Sequence, residues 1–337
     1  MKPTYNFLLG SLIVIIVLTA CNNTSNPGGN VGADSAAYSL THDTLNPDPE
    51  EENFDNIPLQ VGIESGRPSL ETSGKKDEEL FKAIVFKGKG AEERRKGVSL
   101  ASAGDLEGAI REFTKSIEIL ERNPDAYFYR GKAKWELKDY KGADQDFSKA
   151  IEIRPSQAPY YYYRGQMYNE LKRYTEALSD FDSTLARTPH YTDALNFKGV
   201  VYANMGNHEQ AVAVYSEVIN RVPDHALAYF NKGTSLASLQ RFEEAESNLT
   251  HALALDPEYV QALTNRGNCR FMLRKFEEAV ADYSEAIRHQ PKNADAYYNR
   301  AFSYMQLADQ QKACSDWKKA AELGHSGAGT MVSQYCK

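Results

Sequence analysis

The sequence predicts an all-α chain in which helix hairpins stack into a solenoid. Three observations predict it. Gly97, Gly131, Gly165, Gly199, Gly233, Gly267 and Ala301 recur at intervals of 34 residues. Twelve residues after each comes an alanine, from Ala109 to Ala313. Four further on comes a large apolar residue: Phe113, Phe147, Phe181, Tyr215, Leu249, Tyr283 or Trp317. Self-similarity at a period of roughly 20–50 residues marks stacked supersecondary units, none of which can bury its own apolar face alone.

Each unit reads as helix A, a turn and helix B. Small residues at positions 8 and 20 of the unit let the two helices approach, and the large residue at position 24 fills the space beside them. Gly104-Asp105 and Gly206-Asn207 are turn signals between the helices. Pro155, Pro189, Pro223, Pro257 and Pro291 close five units, because proline cannot continue a helix.

This pattern resembles the tetratricopeptide repeat family. The resemblance runs over residues 90–327, in seven copies that keep one register. It implies a right-handed α-solenoid of seven stacked helix-turn-helix units. The first unit departs from the pattern with Glu93 in place of an aromatic and with Pro124 three places late, as expected for an N-terminal cap. The last has Ala301 for glycine and His325 for proline. The tail then restarts a helix-A pattern, so residues 328–337 are expected to form a C-terminal capping helix.

Position 7 is cationic in every unit: Lys96, Arg130, Arg164, Lys198, Lys232, Arg266 and Arg300. Position 23 is acidic in five: Glu112, Asp146, Asp180, Asp282 and Asp316. The exceptions, Val214 and Asn248, fall where position 7 is lysine. In an antiparallel hairpin these positions lie opposite each other. The reading is either bridges joining the two helices of one unit or a solvated face of independent charges. As partly exposed pairs the bridges would be worth about 0–1 kcal/mol each.

Of four cysteines, Cys269 falls two residues past a small-residue site and reads as a buried thiol. Cys314 and Cys336 each lie eleven residues from His325, the expected loop before the capping helix. Antiparallel helices folded about that loop would bring them together, as a disulfide that pins the cap or as two free thiols.

The first twenty residues read as an address. Phe7 to Ala20 is a 14-residue apolar run after Lys2, which is signal-peptide length and too short to span a bilayer. It ends in Leu18-Thr19-Ala20-Cys21, which resembles the lipobox of bacterial lipoproteins. That resemblance implies cleavage after residue 20, lipidation of Cys21 and a membrane anchor. With Asn22 rather than aspartate next, it points to the outer membrane, facing the periplasm.

Residues 21–80 are poor in apolar periodicity and rich in Asn, Ser, Gly, Pro and acid, which reads as a disordered tether reaching about 40 Å. Residues 81–89 could add a preliminary helix. The formal charge of the chain is −7, yet residues 81–337 hold 34 acids and 35 bases, so the acidity belongs to the tether. A neutral repeat region without a basic stripe argues against nucleic acid.

No catalytic signature or cofactor motif stands in the sequence, and seven 34-residue units leave no room for a catalytic domain. In the family, ligands lie along the face lined by helix A, at positions 2, 5, 9, 12 and 13. Carried onto this chain, that face includes Phe128, Lys132 and Trp135; Tyr162, Gln166 and Asn169; Asn196; Phe230; Thr264 and Asn268; and Tyr298. Aromatic rings would anchor a partner and asparagine would pair with an extended backbone. The competing reading is that many of these rings pack between units. The expected function is a non-catalytic, membrane-anchored scaffold binding extended or helical segments of other envelope proteins. An alternative is a lipoprotein that binds glycan or peptidoglycan.

Overall fold

The computed structural model describes residues 90–336. Cys21, the tether and residues 81–89 lie outside the described residues. Among those described are fifteen α-helices and no strand. The chain divides after Tyr191 into two compact units.

The first unit holds three hairpins: α1 (Ala91–Ser102) with α2 (Leu106–Ile119), α3 (Pro124–Glu136) with α4 (Tyr140–Ile153), and α5 (Ala158–Glu170) with α6 (Tyr174–Arg187). The second holds four: α7 (Thr192–Asn204) with α8 (His208–Arg221), α9 (Ala226–Ser238) with α10 (Phe242–Leu255), α11 (Val260–Met272) with α12 (Phe276–His289), and α13 (Ala294–Gln306) with α14 (Gln310–Glu322). The helix α15 (Ala328–Tyr335) then packs on α14. All are α-helices of one register, so the 34-residue period is a hairpin period.

Local chemistry sets the helix ends. Asp105, Asp139 and Asp309 cap helices B, their carboxylates accepting from the backbone N–H of Gly108, Gly142 and Lys312. Asn123 and Asn293 cap helices A in the same way. Helices B end at Ile153, Arg187, Arg221, Leu255 and His289, before the prolines of the next loop. Pro124 differs from expectation: it opens α3, where its missing N–H costs nothing and its fixed φ suits the first turn. Two A–B turns use glycine with positive φ, Gly104 and Gly206. Five use Lys138, Lys172, Gln240, Arg274 or Ala308, with φ of 58–64°.

The core follows the pattern. Phe113, Phe147, Phe181, Tyr215, Leu249, Tyr283 and Trp317 are all buried. Full burial of such a side chain contributes about 1.5–3 kcal/mol. In the six repeats with glycine at position 8, it is pressed against that glycine of its own helix A. A Cβ built on Gly199 would sit 2.5 Å from the Tyr215 ring, and one on Gly131 would sit 3.1 Å from Phe147.

The opposed charges of positions 7 and 23 meet. Arg130 reaches Asp146 at 2.8 Å, Arg164 reaches Asp180 at 2.8 Å, Arg266 reaches Asp282 at 2.7 Å and Arg300 reaches Asp316 at 2.7 Å. Lys96 reaches Glu112 at 3.1 Å. Two features correct the expectation of weak, partly exposed pairs. The four aspartates are buried and each accepts a two-pronged grip from guanidinium Nε and Nη2. The third nitrogen, Nη1, donates to a hydroxyl of the preceding repeat: Thr114, Ser148, Thr250 or Ser284. The same arginine therefore joins helix A to helix B and one repeat to the next.

At the C-terminus Cys314 and Cys336 form a disulfide, Sγ to Sγ 2.07 Å, while Cys269 is a buried thiol outside it.

Candidate functional site

The face lined by helix A begins, in the first unit, with an ionic knot. Asp125, buried at the start of α3, accepts from Arg94 of the preceding repeat at 3.3 Å, from Arg154 at 3.4 Å and from the Tyr160 hydroxyl at 2.5 Å. Three repeats are tied at one carboxylate. Burial and that carboxylate push the Tyr160 phenol far above its ordinary range.

Beside the knot, Phe128 is fully buried. Its ring lies 5.0 Å from Tyr160 and 5.4 Å from Tyr163. Lys132 is buried with its Nζ over the Tyr163 ring at 4.0 Å. Tyr162 is buried under Tyr191, ring centroids 4.9 Å apart. These three predicted contacts are therefore corrected: they pack within and between repeats, because each helix A buries one flank against its neighbour. Trp135, Gln166 and Asn169 remain half-buried on α3 and α5 and are reachable.

Trp135 is held. Its indole Nε1–H donates to Glu170 at 2.7 Å, and the same carboxylate accepts from Lys138 at 2.8 Å and Tyr140 at 2.7 Å. Burial alone would raise the Glu170 pKa. The hydrogen bonds of Lys138, Tyr140 and Trp135 outweigh it and hold the carboxyl below its ordinary value. The indole is thus oriented by the next repeat while the residue stays half-buried.

In the second unit the predicted residues again divide. Phe230 is half-buried and stacks on Tyr259 at 4.7 Å. Tyr298 is buried under His325, centroids 3.8 Å apart. Thr264 is buried and donates to the Val260 carbonyl of its own helix. Asn196 and Asn268 are buried in a relay of carboxamides. Asn231 donates to Asn196 at 3.4 Å, Asn265 to Thr234 at 3.0 Å, and Asn299 to Asn268 at 3.1 Å. The relay leaves Asn265 Oδ1, Asn268 Nδ2 and Asn299 Oδ1 without a protein partner. A buried amide left so costs roughly 1–3 kcal/mol, which fits a polar seam rather than a packed apolar core.

Sequence models of the tetratricopeptide repeat match this chain over residues 94–158 and 130–192 and, in a second model, over 190–258. A third, described as TPR repeat, matches 273–307. The chain carries tetratricopeptide repeats. Among solved structures, a tetratricopeptide repeat protein from Parabacteroides merdae ATCC 43184 is 18% identical with a TM-score of 0.57, covering 74% of this chain and 99% of its own. The C-terminal part of a TPR repeat-containing protein from Cytophaga hutchinsonii is 18% identical with a TM-score of 0.59, covering 72% and 99%. At such identity the likeness is one of fold. No curated protein matches the chain in sequence.

Several residues of this tetratricopeptide array escape a reading by groove position. Glu170, Lys138 and Tyr140 carry the Trp135 contact, yet only Glu170 falls at a groove position. Asn231, Asn265 and Asn299 stand at position 6, and their 34-residue spacing was the available signal. The covering rings Tyr191, Tyr259 and His325 come from the loops after helix B; Tyr191 and Tyr259 both stand at position 34 and lie over the ring at position 5, so their recurrence was an available signal.

Proposed function

We propose that the protein is a lipid-anchored scaffold, held at the bacterial outer membrane through Cys21, whose repeats bind segments of other envelope proteins without catalysis. The observation that carries this reading is the held indole of Trp135, half-buried on α3 and fixed by Glu170 of α5, the helix that also carries Gln166 and Asn169. A rigid aromatic with its polar edge already satisfied loses little entropy on binding, and such residues dominate protein interfaces. Flanking carboxamides supply both a donor and an acceptor for a peptide backbone. The saccharide alternative needs open ring faces, and Phe128, Tyr162 and Tyr298 are buried.

The lipobox supports the anchor, and the acidic composition of residues 21–80 supports a solvated spacer. Two experiments test the reading. Cys21→Ser should move the chain from the membrane fraction to the soluble one. Envelope proteins crosslinked to a photoreactive residue at Gln166 should be lost in a Trp135→Ala background. Retention on purified murein sacculi in the absence of protein, unchanged by Trp135→Ala, would overturn it in favour of a glycan binder.

A further inference from the structure

The C-terminal helix α15 is placed where an eighth helix A would begin, since Ala328 follows Ala294 by 34 residues. It has only eight residues, and an isolated helix that short is unstable in water. Three contacts hold it. Ala328 and Met331 are buried against the last repeat. The Tyr335 ring lies 5.6 Å from Trp317, and its carbonyl accepts from Gln310 Nε2 at 2.6 Å. The third contact is covalent, Cys314 to Cys336, at the far end of the helix.

Beneath α15, Trp317 is buried with its Nε1 unpartnered, so detachment of α15 would let water reach both that N–H and the ring. Both cysteines are half-exposed, so a reductant reaches them from solvent. The remaining cysteine among the described residues, Cys269, is 1% exposed and lies in a different hydrophobic cluster, out of reach of exchange with this disulfide.

We propose that α15 is a redox-operated latch: oxidised, it closes the end of the array; reduced, it detaches and uncovers the Trp317 edge of the last repeat. In the opening step the Cys314–Cys336 bond takes two electrons and two protons from an external dithiol. The two thiols are released, and the dithiol closes to its own disulfide. The disulfide closes a loop with a sequence separation of 22 residues. Loss of a crosslink over that length shifts the closed-to-open balance by about a hundred-fold.

Hydrogen exchange on the full-length chain, with and without dithiothreitol, reads this. The expected result is about hundred-fold faster exchange across residues 328–335 on reduction, with 294–322 still protected. Cys314→Ala with Cys336→Ala should show the fast exchange without dithiothreitol and no further response to it. Equal exchange in the oxidised and reduced chains would overturn the latch, because packing alone would then hold α15. Loss of protection spreading through 294–322 would also overturn it, making the disulfide a staple of the whole repeat.

Discussion

Arg130 grips Asp146 with two nitrogens, Nε at 2.9 Å and Nη2 at 2.8 Å, while Nη1 donates to Thr114 of the preceding repeat at 3.1 Å. The aspartate is buried and the arginine nearly so, so removing one partner leaves a charge stranded away from water. Asp146→Ala is expected to cost about 3–5 kcal/mol in urea unfolding, against about 0.5–1.5 kcal/mol for Thr114→Ala. In repeat 5 Asn248 holds the aspartate's place and, among the described residues, its side chain bonds to the Glu244 carbonyl of its own helix alone. Asn248→Ala should therefore change stability by less than about 0.5 kcal/mol. Equal costs at the two sites would show that the grip contributes nothing specific.

The Glu170 carboxylate orients Trp135, and the orientation is pH-dependent. Its folded pKa is depressed, so the contact is intact above the unfolded value of about 4.3 and is lost as pH falls through the lower folded value. Tryptophan emission should titrate with a midpoint below about 4.3. Glu170→Gln should remove that transition while the helical circular dichroism persists.

The five non-glycine residues with positive φ carry backbone strain. Gln240, at φ 61°, is exposed, and its side chain makes no hydrogen bond among the described residues. Gln240→Gly is expected to stabilise the protein by about 0.5–1 kcal/mol, the left-handed penalty less the added chain entropy. A fall in thermal midpoint would contradict this.

The glycines of position 8 differ in how tightly they are overlaid. Gly199→Ala would drive a methyl to 2.5 Å from Tyr215, whereas Gly131→Ala would meet Phe147 at 3.1 Å. Overpacking should cost Gly199→Ala about 1–3 kcal/mol. Gly131→Ala should be milder, its helix-propensity gain offsetting part of the strain. A reversed order in thermal unfolding would refute the contact as the cause.

Much of the fold was legible because the period exposes it. A glycine every 34 residues, with an alanine and a large residue in fixed places after it, dictates helix pairs in contact at those points. The partnership of Arg130 and Asp146 was one of two readings for the same reason, since opposite charges recurred in step at facing positions in five of the seven hairpins. Its reach to Thr114 was not readable, because that depends on how far one hairpin is offset from the last. The candidate site was legible in part. Trp135, Gln166 and Asn169 remain accessible where their positions placed them, but Phe128, Tyr162 and Tyr298 are covered. A ring at position 5 can face a partner or lie under a ring from the following loop, and the repeat pattern is the same in both cases.

Sequence by itself determined the all-α architecture and its 34-residue hairpin period, and it placed positions 7 and 23 opposite each other. Those follow from local propensity and periodicity, which act along one dimension. Tertiary structure decided which side chains of the helix-A face are free. It set Tyr191 over Tyr162, His325 over Tyr298 and Glu170 against Trp135. The first two fold a loop back over helix A of the same repeat and the third joins one repeat to the next, and side-chain directions of that kind are set by packing rather than by position along the chain.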